Sequence, residues 1–217
     1  EMLLAEVDHI RHAADAEESA IVVAHCNLVS LHVTIEPGYV WPAAMNPLRV
    51  MVFNSTIGSV TVTHTPAAPL ENFQVHIWGS HLGVAWHAGA KVPAVALEFA
   101  ANLGATSKLA VLHSTVIAQQ SAIRVQEAAG AVEVWYTQAT ATFSAAAQLT
   151  GGTAVVAALH AMGAVASLQV LHSVLAASNP TAGSSIAATG LYLEAVGTAA
   201  APGKVTLTGA TCSAYST

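Results

Sequence analysis

Short runs in which apolar and other side chains alternate recur along most of this chain. Leu31-Val33-Ile35, Val50-Val52, Val60-Val62, Val75-Ile77, Val95-Leu97-Phe99, Val132-Val134-Tyr136 and Val205-Leu207 all repeat with period two. Successive side chains of a strand point to opposite sides, so this is the period of strands with one buried face. The runs are rich in β-branched residues, which fit a pleated surface. Pro37-Gly38, Asn46-Pro47, Gly151-Gly152, Asn179-Pro180 and Pro202-Gly203 supply turn signals. Many short strands separated by turns predict an all-β sandwich or barrel.

Helical spacing is confined to the segment before Ser19, where Leu3, Val7 and Ile10 share a face. Ala154–Ala177 fits either helix or strand. No linker or shift of composition cuts the chain, which predicts a single domain over 1–217 with a short N-terminal arm over 1–19. Val111-Leu112-His113-Ser114 is echoed by Val170-Leu171-His172-Ser173, an echo too short to define a repeat.

Charge narrows the function classes. Only 8% of the 217 residues are charged, against about 25% in an average soluble domain. A surface so poor in charge commonly serves protein contacts. The net charge is −6, and the six Lys and Arg residues are scattered, so the usual basic footprint of a nucleic-acid binder is missing. Ala154–Leu175 is apolar but broken by His160, Ser167, Gln169 and His172, and no membrane insertion is expected. The N-terminus lacks the pattern of a secretory leader. Cys26 and Cys212 read as two buried free thiols. Asn54-Ser55-Thr56 is an N-glycosylation triplet of a kind that also arises by chance.

Nothing in the spacing of reactive residues points to catalysis. No H-E-x-x-H or G-x-S-x-G run occurs. His25 and Cys26, as strand neighbours, would face opposite ways and could not act as base and nucleophile. Glu98 is expected to face solvent from an alternating strand, and Leu97, Phe99, Ala100 and Ala101 offer it no second acid. The expectation is a protein that is not an enzyme and holds no metal or organic cofactor.

Several runs resemble a known family. Leu28-Val29-Ser30-Leu31-His32-Val33-Thr34-Ile35-Glu36-Pro37 is similar to a strand of tymovirus coat proteins. Asn46-Pro47-Leu48-Arg49-Val50, Ile77-Trp78-Gly79-Ser80-His81 and the apolar run Val92–Phe99 follow in the family's order. Leu191–Val196 and Lys204–Cys212 resemble the closing hairpin of icosahedral plant-virus coats, while Ala100–Thr189 has no counterpart. The resemblance implies an antiparallel jelly-roll β sandwich. It implies a viral capsid protein whose identical subunits form an icosahedral shell around an RNA genome, assembled in the host cytoplasm and found in the virion. His9, Arg11 and His12 would be the RNA-contacting residues, since the N-terminal region of such coats commonly faces the interior. Polyamines or inorganic cations would accompany the RNA, because six basic side chains cannot neutralise it. Full protonation of the eleven histidines would move the formal charge from −6 to −6 + 11 = +5.

A second resemblance is to legume-type carbohydrate-binding lectins, also β sandwiches. Val75-His76-Ile77-Trp78, Val95–Phe99 and Ala187-Ala188-Thr189-Gly190-Leu191-Tyr192 carry it. Ala100 stands where that family's metal-bridging Asp would be, so the calcium chemistry is lost.

Overall fold

A computed structural model describes residues 3–7, 19–35, 47–64, 69–84, 91–127, 129–143, 155–181, 184, 186–197 and 202–216. Eighteen strands follow in chain order: β1 (Leu3–Val7), β2 (Ser19–Ala24), β3 (Asn27–Ile35), β4 (Leu48–Phe53), β5 (Thr56–His64) and β6 (Phe73–Trp78). Next come β7 (His81–Leu82), β8 (Val95–Ala101), β9 (Lys108–Leu112), β10 (Thr115–Ala118), β11 (Ser121–Val125) and β12 (Ala129–Trp135). The last are β13 (Gln138–Thr142), β14 (Val155–Leu171), β15 (Val174–Asn179), β16 (Ala187–Val196), β17 (Lys204–Thr208) and β18 (Thr211–Ser216).

The all-β expectation holds, but the antiparallel jelly roll does not. Every pairing between these strands is parallel. The chain winds as a solenoid, one continuous sheet folded into three faces. Face A stacks β2, β4, β6, β9, β12, the end of β14 and β17. Face B stacks β7, β10, β13, β15 and β18, and the first residues of β5 pair with β7. Face C stacks β1, β3, β5, β8, β11, the start of β14 and β16. The expected closing hairpin is absent. β17 lies on β14 and β18 on β15, each one turn of the solenoid back.

Period-two patterning is what this architecture requires, because one side of every strand faces the interior. Equivalent side chains then stack in columns, one per turn. Val50, Val75, Leu109, Val132 and Leu168 form such a column on face A, all at most 1% exposed. Leu31, Val60, Leu97, Ile123 and Leu159 form another on face C. Burial of such side chains is worth roughly 1.5–3 kcal/mol each. In the outermost turn the columns lie open: Val205 is 41% and Leu207 50% exposed.

Three local expectations are corrected. Leu3–Val7 is a strand, not part of a helix, because it extends face C by pairing with β3. Ala154–Ala177 resolves as β14 and β15 over its described part, and β14 bends from face C to face A without ending. Cys26 is half-buried and Cys212 exposed, both as free thiols, so they are not a pair of buried ones. No helix of the described residues is long and apolar enough to cross a membrane.

Candidate functional site

The corner from face A to face B is built the same way seven times. Two residues connect the strands at each turn of the solenoid, and the first has positive φ: His25 (55°), Asn54 (45°), Gly79 (60°), His113 (49°), Tyr136 (50°), His172 (47°) and Gly209 (58°). This left-handed region is costly for most side chains, and Asn and His are among the residues that tolerate it. The second corner residue is small: Cys26, Ser55, Ser80, Ser114, Thr137, Ser173 and Ala210. His25 and Cys26 are therefore corner residues and not the strand neighbours expected.

The hydroxyls of the second position make a ladder that holds the corners together. Ser55, Ser80, Ser114, Thr137 and Ser173 each donate to the carbonyl two residues back, at 2.7–2.9 Å. Each also accepts the backbone N–H of the preceding turn's equivalent residue: Cys26 to Ser55 3.1 Å, Ser55 to Ser80 3.2 Å, Ser80 to Ser114 3.2 Å, Ser114 to Thr137 3.4 Å and Thr137 to Ser173 3.1 Å. All five are at most 4% exposed. The ladder is a structural device with no hydroxyl free to attack a substrate.

Outside it runs a column of rings. Trp78 stacks on His113 (5.5 Å, 26° between planes), His113 on Tyr136 (4.9 Å, 6°) and Tyr136 on His172 (5.2 Å, 18°). Trp78 is 49% and Tyr136 53% exposed. Between neighbours in the column the ring faces are used against one another. Such stacking stabilises the corner by about 0.5–1.5 kcal/mol per pair.

Face A carries Arg49, Lys108, Glu133 and Lys204, with Lys108 paired to Glu133 at 2.7 Å, and face C carries a row of polar side chains in which Arg124 and His160 are buried. Glu98, Arg124, His160 and Tyr192 stand in register on β8, β11, β14 and β16. Arg124 lies 3.5 Å from Glu98, and Gln126 donates a hydrogen bond to the same carboxylate. Glu98 is thus tied across the strands and does not simply face solvent, as expected from its alternating run. His160 is fully buried, edge-on to Tyr192 and 3.6 Å from Glu194. At that distance the carboxylate attracts without a good hydrogen bond. Burial holds the His160 imidazole below its usual value. Glu194 pulls the other way, and Arg124 adds to the lowering. Burial likewise lowers Arg124, against the pull of Glu98.

This row does not form an acid pair. Glu98 and Glu194 are separated by three strand spacings, about 14 Å at the backbone. Glycoside hydrolysis needs carboxyl groups about 5–10 Å apart. Among the described residues no group of three His, Cys, Asp or Glu is placed to hold a metal ion.

Face B is the opposite in character. Its outward side chains include Thr115 and Ile117 of β10, Gln138, Thr140 and Thr142 of β13, Val174, Ala176 and Ser178 of β15, and Thr211, Ser213 and Tyr215 of β18. None of these strands contains a charged residue.

No protein-family model, curated protein or solved structure matches this chain. The site is read from its own geometry. His9, Arg11 and His12, the expected RNA contacts, lie outside the described residues. Sequence reasoning missed the ring column and the Glu98–Arg124–His160 row. The signal for the first was present in the Leu-His-Ser echo, whose two copies are corners of the solenoid. Nothing local marks the second, because its members come together only through register.

Proposed function

We propose that this protein is a non-catalytic structural module that works by packing against copies of itself. The observation that carries the proposal is the outer side of face B, which is without charge through β10, β13, β15 and β18. Uncharged surface lets a second chain approach without desolvating ions. Five stacked strands give a face about 19 Å tall, or roughly 300 Å². A stable pair buries about 800 Å² per partner. One face-B contact is therefore weak, and assembly has to use several contacts at once, as in a lattice.

A viral shell around RNA is one form of such an assembly. Support for that form comes from the coat-like runs between Asn27 and Phe99, not from the fold, since the jelly roll they imply is absent. The carbohydrate-binding alternative likewise keeps its short motif likenesses and loses the sandwich.

Light scattering of the 217-residue chain across micromolar to millimolar concentration tests the proposal. The expected result is growth beyond a 22.0 kDa species, reduced by Val174→Lys and Thr142→Lys with the β-sheet circular dichroism unchanged. A monodisperse 22 kDa species throughout refutes self-assembly. Negative-stain microscopy then separates closed shells from open arrays.

A further inference from the structure

The six asparagines include two followed two residues later by Thr: Asn54-Ser55-Thr56 and Asn179-Pro180-Thr181. Proline in the middle position blocks N-glycosylation of the second. The fold separates them as well. Asn179 is 0% exposed, and its amide donates to the Ile186 carbonyl at 2.8 Å and accepts from the Thr181 N–H at 3.1 Å. Asn54 is exposed at the tip of a two-residue corner, with φ of 45°.

The surroundings of Asn54 favour an attached sugar. The corner residue one turn on is Gly79, and a Cβ there would lie 2.5 Å from Asn54 Oδ1. Glycine at that place leaves the room that the asparagine amide occupies. Beside it, Trp78 stands 49% exposed, one turn along from Phe53, and offers an apolar ring to the first sugar. The side chain leaves the solenoid at a corner, clear of the strand edges, so a glycan there does not interrupt the pairing of β4, β5 or β6. Backbone contacts of the corner, such as the Asn54 N–H to the Trp78 carbonyl at 3.0 Å, do not involve the amide nitrogen that would be modified.

We infer that Asn54 is an N-glycan acceptor, the only one that this sequence offers to the Asn-x-Ser/Thr chemistry. In the step, the Asn54 Nδ2 forms a bond to C1 of an oligosaccharide carried on a polyprenyl diphosphate. The bond from C1 to the diphosphate oxygen breaks, the polyprenyl diphosphate leaves with the electron pair, and the amide proton passes to a base of the transferring enzyme. No oxidant or reductant is needed. The inference is independent of self-assembly through face B, since Asn54 lies at the corner.

The test is translation of the full chain with microsomal membranes, behind a cleavable leader and a short tag that stays on the chain and carries one acceptor triplet as internal standard. The expected product carries two glycans, both removed by an endoglycosidase. Asn54→Gln and Thr56→Ala should each carry one. Because transfer precedes folding, a variant that folds poorly still reports. A wild-type product with only the tag's glycan overturns the inference. So does a glycosylated chain that, once released, is digested by thermolysin faster than the unglycosylated one, since an outward Asn54 leaves the fold intact.

Discussion

Ser114→Ala tests the hydroxyl ladder at its centre. The Ser114 Oγ donates to the Leu112 carbonyl at 2.7 Å and accepts from the Ser80 N–H at 3.2 Å. Removing it leaves the Leu112 carbonyl satisfied, because the Gly79 N–H still donates to it at 3.0 Å. The Ser80 N–H loses its acceptor at a residue that is 0% exposed. An orphaned buried donor costs about 1–3 kcal/mol. For a chain of this size each kcal/mol lowers the melting temperature by roughly 2–4 °C. Ser114→Thr should restore most of the loss, as Thr137 fills the same place one turn on with the same two kinds of bond. Ser178→Ala is the control: its hydroxyl bonds only the exposed Thr142 hydroxyl in the described contacts, and the change should stay within about 0.5 kcal/mol. Denaturant titration measures stability, and hydrogen exchange follows the Ser80 amide. If Ser114→Ala melts with wild type and the Ser80 amide exchanges no faster, the ladder is geometry without energy.

Three further outcomes are expected. Burial holds His64, His76 and His160 below their usual value. The unfolded chain therefore binds more protons just below pH 6.5, and stability is full above that pH and falls as the pH drops, by up to about 1.4 kcal/mol per pH unit for each group. Melting curves from pH 7.5 to 5 check this, and His64→Leu should flatten the slope, since His64 is 4% exposed and neither ring nitrogen has a hydrogen-bond partner among the described residues; a flat wild-type profile contradicts it. Leu97→Ala, in a filled column, should cost about 2–5 kcal/mol, whereas Leu207→Ala, at 50% exposure, should cost clearly less in the same titration; equal losses would mean that the last turn is covered. Gly83→Ala should destabilise by roughly 2–4 kcal/mol, because its φ is +77° and a Cβ would fall 1.6 Å from the Ile117 carbonyl oxygen; an unchanged denaturation midpoint would refute this packing.

The sequence by itself determined that strands form and which side of each is buried. Val50 and Val52, Val60 and Val62, Val75 and Ile77 all face inward as their alternation requires, because the period of a strand is local and burial selects one face. It did not determine what the strands pair with. Period two is the same for parallel and antiparallel neighbours, so the identical pattern served a jelly roll equally well. The Val132-Val134-Tyr136 run shows the limit: its first two residues are in β12, and Tyr136 turns the corner with positive φ. A repeat would have identified the solenoid, but equivalent corner residues lie 29, 25, 34, 23 and 36 positions apart. The varying length falls mostly in the other connections, while the A-to-B corner stays at two residues. The echo around His113 and His172 was visible, yet its intervening copy around Tyr136 shares neither the Leu nor the His. Only the winding of the chain placed Glu98, Arg124 and His160 side by side, with successive members 26 and 36 positions apart. Their ion pair exists because each turn of the solenoid returns the strand to the same register, a distance that no local pattern encodes.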